Sequence, residues 1–315
     1  MKWIKNPITF RFVFVAIGIG ATIFVVLKYI HAPERFNIAE FVSQKTFLLV
    51  AIIQLFLIVA NLMLEGLRWH CISYPITKYP FRKSFKQVLI AIPAGIVTPG
   101  RIGELISRSV QAPEGHKTST LGLAMASSVL HTIIIGVLGM ISFVATIPFS
   151  NELRFLSFES NKLLITIGVF IGIAIFITWI LKKGFVYKSN VQLLTKGLKQ
   201  IPLKSIIYLI GFTILRFICY NLQLAIWLAL FTQIPTSEIL TLTPIYYLII
   251  TIVPSFILLD LGIKGTAALL VFSSIGAATP AILIAIFMMW IFNTAAPTLL
   301  GSVIIFRQHL KSKNS

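Results

Sequence analysis

Long apolar runs constrain this chain more than any other feature. A helix of about 20 apolar residues crosses the hydrocarbon core of a bilayer. Only 11% of the residues are charged, against about 25% in soluble globular proteins, so a soluble fold is excluded. The sequence predicts an all-α polytopic membrane protein, with residues 1–315 as one integral membrane domain. The predicted full crossings are 12–30, 46–67, 118–148, 163–181, 205–231 and 279–306.

Two further apolar stretches, 85–110 and 242–275, are interrupted near their middles by Pro, Gly and charged residues. Pro removes a backbone donor and Gly weakens a helix. Broken backbone at membrane depth is tolerated only where it is buried in protein or faces a watery cavity. Each stretch is therefore predicted to form two half-helices, as a re-entrant hairpin or a discontinuous helix. The predicted turn residues are Pro99, Gly100 and Gly103 in the first stretch and Pro254, Gly262 and Gly265 in the second.

The distribution of charge predicts the topology. The chain carries 27 Lys and Arg against 9 Asp and Glu, and such an excess collects in cytoplasmic loops. A second interpretation, compatible with the first, is that the basic residues attract anionic lipid headgroups. The segments 68–86 and 182–204 are the most basic, which places both termini in the cytoplasm and the protein in the cytoplasmic membrane. The bases are spread over short loops, so nucleic-acid binding is not expected.

In this topology the two broken stretches enter the membrane from opposite sides. The half-repeats are predicted at about 46–148 and 205–306, related by inversion. Paired interrupted segments in inverted repeats indicate the substrate site in many transporters.

Charges within the first broken stretch are the leading candidates for a binding site. Arg101, Glu104 and Arg108 lie there, with Glu104 and Arg108 at i, i+4 spacing on one helix face. A helix that begins near Ile102 offers backbone N–H groups to an anion, and Arg is a good phosphate ligand. The alternative is that Arg101 and Glu104 only pair with each other and lock the turn.

The remaining buried charges lie on other segments. Asp260 and Lys264 have the same spacing in the second stretch, as part of a site or as a self-neutralising pair. Arg216 is near the middle of a crossing and needs an anionic partner, for which Glu104 and Asp260 are the predicted acids. Glu65 and Arg68 are predicted near the cytoplasmic end of the second crossing, where local pairing and snorkelling suffice.

Catalytic and metal-binding motifs are missing from the sequence. It contains no P-loop, zinc-protease, serine-hydrolase or dinucleotide-binding signature, and its two cysteines, Cys71 and Cys219, have no metal-ligand spacing. No metal, cofactor or enzyme activity is expected. A membrane-embedded transferase using Glu104 or Asp260 as a base is the least favoured class.

The element Pro99-Gly100-Arg101-Ile102-Gly103-Glu104, followed by Arg108 and preceded by Leu67-Arg68-Trp69, resembles the lysylphosphatidylglycerol synthase transmembrane region, a flippase-like family. The resemblance covers about residues 8–308. It implies a lipid-translocase-like bundle, since members are linked to flipping aminoacylated phosphatidylglycerol or to polyprenol-linked glycan pathways.

The second half departs from the family pattern. Leu259-Asp260 replaces an expected Gly pair, and Gly265 stands where Glu is expected. The soluble aminoacyl-transferase domain is absent from the sequence, so synthesis of a lysyl lipid is not implied.

These observations predict a transporter-like protein that binds and moves an anionic lipid or a polyprenyl-phosphate-type lipid. Arg101 and Arg108 would hold the phosphate, and Arg216 and Lys264 would receive it from the other side. Glu104 and Asp260 would neutralise the empty site. The alternative is a non-transporting accessory protein in envelope glycan or glycolipid assembly, with a glycosyltransferase or lipid-modifying enzyme as its partner.

Overall fold

A computed structural model describes residues 7–31, 45–146, 201–232, 234–252 and 257–313, and every regular element in these ranges is helical. The 3₁₀ segments Pro99–Arg101 and Ser273–Ile275 and the π segment Ile291–Ala295 connect or interrupt the α-helices. The α-helices are α1 Pro7–Ile30, α2 Lys45–Thr77, α3 Phe81–Ile96, α4 Ile102–Val110, α5 Lys117–Thr146, α6 Leu203–Thr232, α7 Thr236–Ile252, α8 Ile257–Phe272, α9 Thr279–Trp290 and α10 Ala296–Lys313.

Four helices in the described ranges are long and apolar enough to cross a membrane. They are α2, α5, α6 and the continuous segment Thr279–Leu310, which corresponds to most of α9 and α10. The sequence predicted crossings at all four places. Helix α1 covers the predicted run 12–30 and contains the shorter apolar segment Ile19–Ile30. The predicted crossing 163–181 and the basic segment 182–200 lie outside the described residues.

The first broken stretch forms two helices joined by a tight turn. Helix α3 ends at Ile96, and the chain reverses through Gly100 and Arg101, which have φ angles of 57° and 58°. Helix α4 then packs back along α3. Gly103 lies so close to the carbonyl oxygen of Ala94 that no side chain fits at this position. The close approach of the two backbones fixes the direction in which α4 leaves the turn.

The second broken stretch differs from the prediction. Helix α7 ends at Ile252 and α8 begins at Ile257, so the predicted turn residue Pro254 lies outside the described residues. Gly262 and Gly265 were predicted in the turn, and this is wrong because both lie inside α8. Their small size instead allows α1 to pack closely against α8, because a Cβ on Gly262 would meet the backbone of Thr22.

The two halves of the chain pack by corresponding contacts. Helices α2 and α6 are antiparallel neighbours, since Gln54 Nε2 donates to the carbonyl of Gln223 (2.8 Å) and Arg216 Nε donates to Asn61 Oδ1 (2.9 Å). Helix α3 contacts α2, α4 and α10, and α7 correspondingly contacts α6, α8 and α5. Helix α5 packs on α4, as α9 packs on α8.

Two apolar clusters stabilise this arrangement. The larger one surrounds Trp227, Phe272 and Ile282, and the smaller one surrounds Trp69 and Leu123. Among the described residues, the buried charged side chains of the first half are Glu65, Arg68 and Arg108, and Asp260 is the buried one of the second half. The first three belong to one cluster. They lie together, at the contact of α2, α4 and α6.

Candidate functional site

Glu65 is the centre of the charged site. Its Oε1 accepts hydrogen bonds from Arg108 Nη2 (2.6 Å) and Arg68 Nη2 (3.1 Å). Its Oε2 accepts from Arg216 Nη1 and lies 2.9 Å from Arg68 Nε. Three guanidinium groups, on α2, α4 and α6, therefore converge on one carboxylate whose side chain is only 6% exposed.

Glu104 extends this cluster towards the first turn. Its Oε1 accepts from Arg108 Nη2 at 2.7 Å, and its Oε2 lies 3.2 Å from Arg101 Nε. The ion pair that the i, i+4 spacing predicts between Glu104 and Arg108 is present. The alternative pair with Arg101 is present as well, although the Arg101 side chain is 56% exposed. One carboxylate thus connects the exposed guanidinium of the turn with the buried ones.

Aromatic and amide groups fix the directions of two guanidinium groups. The guanidinium of Arg108 lies 5.0 Å from the ring centre of Trp69, whose Nε1 donates to Gln87 Oε1 at 3.0 Å. Arg216 Nη2 donates to the hydroxyl of Tyr220 at 3.3 Å. Such contacts reduce the rotational freedom of long side chains and add cation–π attraction. The site is thus held in a defined shape.

The cluster carries an excess of positive charge. It contains four guanidinium groups, which are always protonated, and two carboxylates. Within the described ranges, Arg68 Nη1 and Arg108 Nε are buried without a hydrogen-bond partner. Buried donors without acceptors are costly. The cluster therefore favours binding of a further anion.

Two neighbouring cavities open beside the cluster. The first, of about 230 Å³, is lined by all four arginines and both glutamates. The second, of about 290 Å³, is lined by Asp260 and Lys264, whose side chains pair at 2.6 Å. The residues that line both cavities are Arg101, His131, Tyr220 and Asn293.

The second cavity has a more aromatic wall than the first. Tyr246, Tyr247 and Trp290 line it, together with Thr251 from the end of α7. Asp260 also interacts with further groups beyond Lys264. The predicted i, i+4 ion pair in the second stretch is thus present, but it is not part of the arginine cluster.

Three of the predicted roles change. The acid that partners Arg216 is Glu65, not Glu104 or Asp260. Arg216 and Lys264 line different cavities, so they do not form one receiving group. Helix α2 continues to Thr77, ten residues beyond Leu67, so Glu65 lies inside the helix, and its place near the end of the crossing stays a prediction. Local pairing with Arg68 exists, but it is one of three contacts.

The helix terminus is also less open than predicted. The backbone N–H of Gly103 donates to Thr98 Oγ1 at 2.7 Å. One amide at the start of α4 is therefore already capped and unavailable to an anion. The positive charge of the site comes mainly from the guanidinium groups.

Four polar residues of the cavities were not singled out by the sequence as site residues. Asn61 is four residues before Glu65 and Tyr220 is four residues after Arg216, so each shares a helix face with a buried charge. That spacing is the signal that identifies them. His131 and Asn293 carry no comparable local signal, because they are brought to the cavities by α5 and the π segment.

Comparisons with known proteins give no match: no family model, no curated protein and no solved structure matches this chain. The resemblance to the flippase-like family stays a prediction from the motif. The chain is all-helical in its described ranges, with four helices able to span a membrane and a charged, cavity-lining cluster among them.

Proposed function

We propose that this chain is a flippase-like membrane transporter, not an enzyme, that binds the phosphate of an anionic lipid and moves it across the cytoplasmic membrane. The observation that carries the proposal is the cluster of four arginines against two glutamates beside a cavity. Charged groups within a membrane bundle are costly unless they serve a ligand or a path. Guanidinium groups bind phosphate oxygens with paired hydrogen bonds.

A lipid is the favoured source of the phosphate because the exposed surface of the helices is apolar. Leu48, Ile52, Leu55 and Phe56 on α2 are more than half exposed, as expected for side chains that face acyl chains. Arg101 is the exposed member of the cluster. A headgroup at Arg101 would therefore meet the arginines while its acyl chains remain in the bilayer.

The proposed architecture has six crossings and two re-entrant hairpins in an inverted repeat, with both termini in the cytoplasm. Two observations support it. The corresponding helices α2 and α6 are antiparallel, and the contacts of α3 have counterparts in those of α7. Both broken stretches also reach the second cavity, through Thr98 and Arg101 in one half and Thr251 and Asp260 in the other.

The proposal is tested by translocation of a labelled anionic phospholipid in proteoliposomes. Replacing both Arg101 and Arg216 with Gln is expected to reduce the rate at least about tenfold, because hydrogen bonds to charged groups contribute about 1.5–3 kcal/mol each. Replacing both Arg82 and Arg307 with Gln is the matched control, since it removes the same two charges from exposed positions outside the cavities. Equal rates in the wild type and the double variant would contradict the proposal.

The accessory role makes a different prediction in the same experiment. Purified protein would then move no lipid, and it would instead co-purify with a glycosyltransferase or lipid-modifying enzyme from the native membrane. Translocation by the purified protein alone distinguishes the two functions.

A further inference from the structure

The donors that a phosphate needs are already engaged by Glu65. Arg108 Nη2 is shared between Glu65 at 2.6 Å and Glu104 at 2.7 Å. Arg216 uses Nη1 on Glu65 and Nε on Asn61. A carboxylate of the protein therefore occupies the point where three guanidinium groups converge.

The buried guanidinium nitrogens that remain free do not form a fork by themselves. In the described ranges they include Arg68 Nε, Arg68 Nη1 and Arg108 Nε, and Arg68 Nε still faces Glu65 Oε2 at 2.9 Å. Strong guanidinium–phosphate binding uses two parallel N–H···O bonds from the same fork. Before either side chain can present such a fork to a phosphate, Glu65 must release Nη1 of Arg216 or Nη2 of Arg108, which Glu104 also binds.

We propose that Glu65 is an internal competitor of the lipid phosphate: the phosphate displaces its carboxylate from the arginines, and the displaced carboxylate takes up a proton. This inference rests on the proposed function and adds to it the uptake of one proton for each phosphate bound. No covalent bond changes except one O–H bond, formed with a proton from the aqueous phase. The hydrogen bonds of the arginines pass from the carboxylate to the phosphate oxygens.

Protonation follows from the surroundings of Glu65. The side chain is 6% exposed and faces a cavity within the helix bundle. An ionised carboxylate in such a place is stable only while guanidinium groups surround it. When a phosphate takes those groups, the neutral acid is the favoured form.

Other titratable and charged groups face Glu65, and their contribution to the pH dependence must be distinguished from that of Glu65. They lie on its own helix and on α4, α5 and α6. The guanidinium groups stay charged throughout, and a tyrosine hydroxyl stays neutral near neutral pH. The controls are therefore Glu104 and His131. The groups that face the site are Arg68, Arg101 in the turn before α4, Glu104, Arg108, His131, Arg216 and Tyr220.

The test is a binding titration of the purified full-length protein with short-chain phosphatidylglycerol and, separately, with inorganic phosphate, at several pH values between about 5.5 and 8. Since binding takes up a proton, the affinity of the wild type for phosphatidylglycerol is expected to rise as the pH falls, by up to about tenfold per pH unit. Glu65→Gln is expected to bind about tenfold more tightly at the highest pH and to lose the pH dependence.

Glu104→Gln separates displacement from a general change of charge. It removes the same charge from the same cavity but leaves Glu65 on the three arginines, so a smaller gain and a preserved pH dependence are expected. Glu65→Asp keeps a carboxylate and should keep the pH dependence. This variant and the wild-type pH profile test the inference even if Glu65→Gln does not fold.

Several results would overturn the inference. Binding to the wild type that is independent of pH would do so, as would an equal or smaller gain in Glu65→Gln than in Glu104→Gln. Loss of the pH dependence in His131→Asn, with its retention in Glu65→Gln, would assign the proton to the histidine. These results leave the proposed function intact. Absence of phosphatidylglycerol binding in the wild type would overturn both, and binding of phosphate alone would identify a soluble anion as the ligand.

Discussion

The two broken stretches are packed alike and differ in chemistry. In the first, α3 and α4 bring Glu104 and Arg108 into a network that joins α2 and α6. In the second, the described residues of α7 and α8 carry the i, i+4 pair of Asp260 with Lys264 beside an aromatic wall. Corresponding helix contacts surround both. The packing of apolar surfaces thus sets the arrangement of the backbone in each half.

The difference teaches that the similarity of the halves does not extend to the ligand. The buried arginines of the cluster come from α2, α4 and α6, and only α6 belongs to the second half. The second half contributes mainly apolar packing, through the large cluster around Trp227 and Phe272. In this account the first hairpin binds the anion and the second one shapes the neighbouring cavity.

The largest expected difference in stability between the two regions comes from removing the carboxylate of Glu65. Glu65→Ala leaves three buried guanidinium groups without their common partner, and a loss of about 3–5 kcal/mol in unfolding free energy is expected. Asp260→Asn removes one charge from a pair whose Lys264 side chain is 25% exposed and can be solvated, so a smaller loss is expected. Denaturant unfolding in mixed micelles measures both. Equal losses would show that the arginine cluster around Glu65 and the Asp260–Lys264 pair contribute alike to stability.

The close approach of the helices in the first hairpin gives the next largest effect. Gly103→Ala places a methyl group against the backbone carbonyl of Ala94, which cannot move aside as a flexible side chain could. A loss of about 1–3 kcal/mol is expected. Gly265→Ala meets side-chain atoms of Val25 and Leu283 at 3.0 and 3.2 Å, which can shift, so a smaller loss is expected in the second half.

Gly136→Ala provides the control for these two variants. A methyl group at Gly136 in α5 meets open space, and Ala favours a helix over Gly by about 1 kcal/mol. Its thermal midpoint should equal or exceed that of the wild type. A Gly103→Ala protein with the same midpoint as Gly136→Ala would contradict the tight turn.

The smallest expected effect separates stability from function at the first turn. Arg101 has a φ of 58°, which a residue with a Cβ adopts at a cost of about 1 kcal/mol. In its pair with Glu104 the Arg101 side chain is exposed to solvent, so the pair contributes little. Arg101→Gly should therefore raise the unfolding free energy by up to about 1 kcal/mol while it slows lipid transport. A loss of stability with unchanged transport would remove Arg101 from the site.

Much of this picture follows from the sequence. The length of the apolar runs predicts the spanning helices, and the i, i+4 spacing predicts the pairs Glu104 with Arg108 and Asp260 with Lys264. Spacing along one helix is informative because it needs only the helical period. The interruption between Ile96 and Ile102 is also predictable from the sequence, because Pro and Gly alter the local backbone.

The partner of Arg216 was not predictable from such local rules. Glu65 lies 151 residues away in the chain, and its contact depends on how α2 and α6 pack against each other. Gly262 and Gly265 were read as a turn because Gly weakens a helix, but in α8 they permit close packing of α1. A Gly can interrupt a helix or allow close packing of a second helix, and the two roles are distinguished only by whether a neighbouring helix packs there.

The most direct test of the central claim is identification, by native mass spectrometry, of the lipid that stays bound to the purified protein. The wild type and the control with both Arg82 and Arg307 replaced by Gln are expected to retain an anionic phospholipid or another lipid phosphate. Replacement of both Arg108 and Arg216 with Gln is expected to abolish its retention, since the phosphate loses both buried guanidinium forks. Retention of the same lipid by the double variant, or the absence of any anionic lipid from the wild type, would contradict the account.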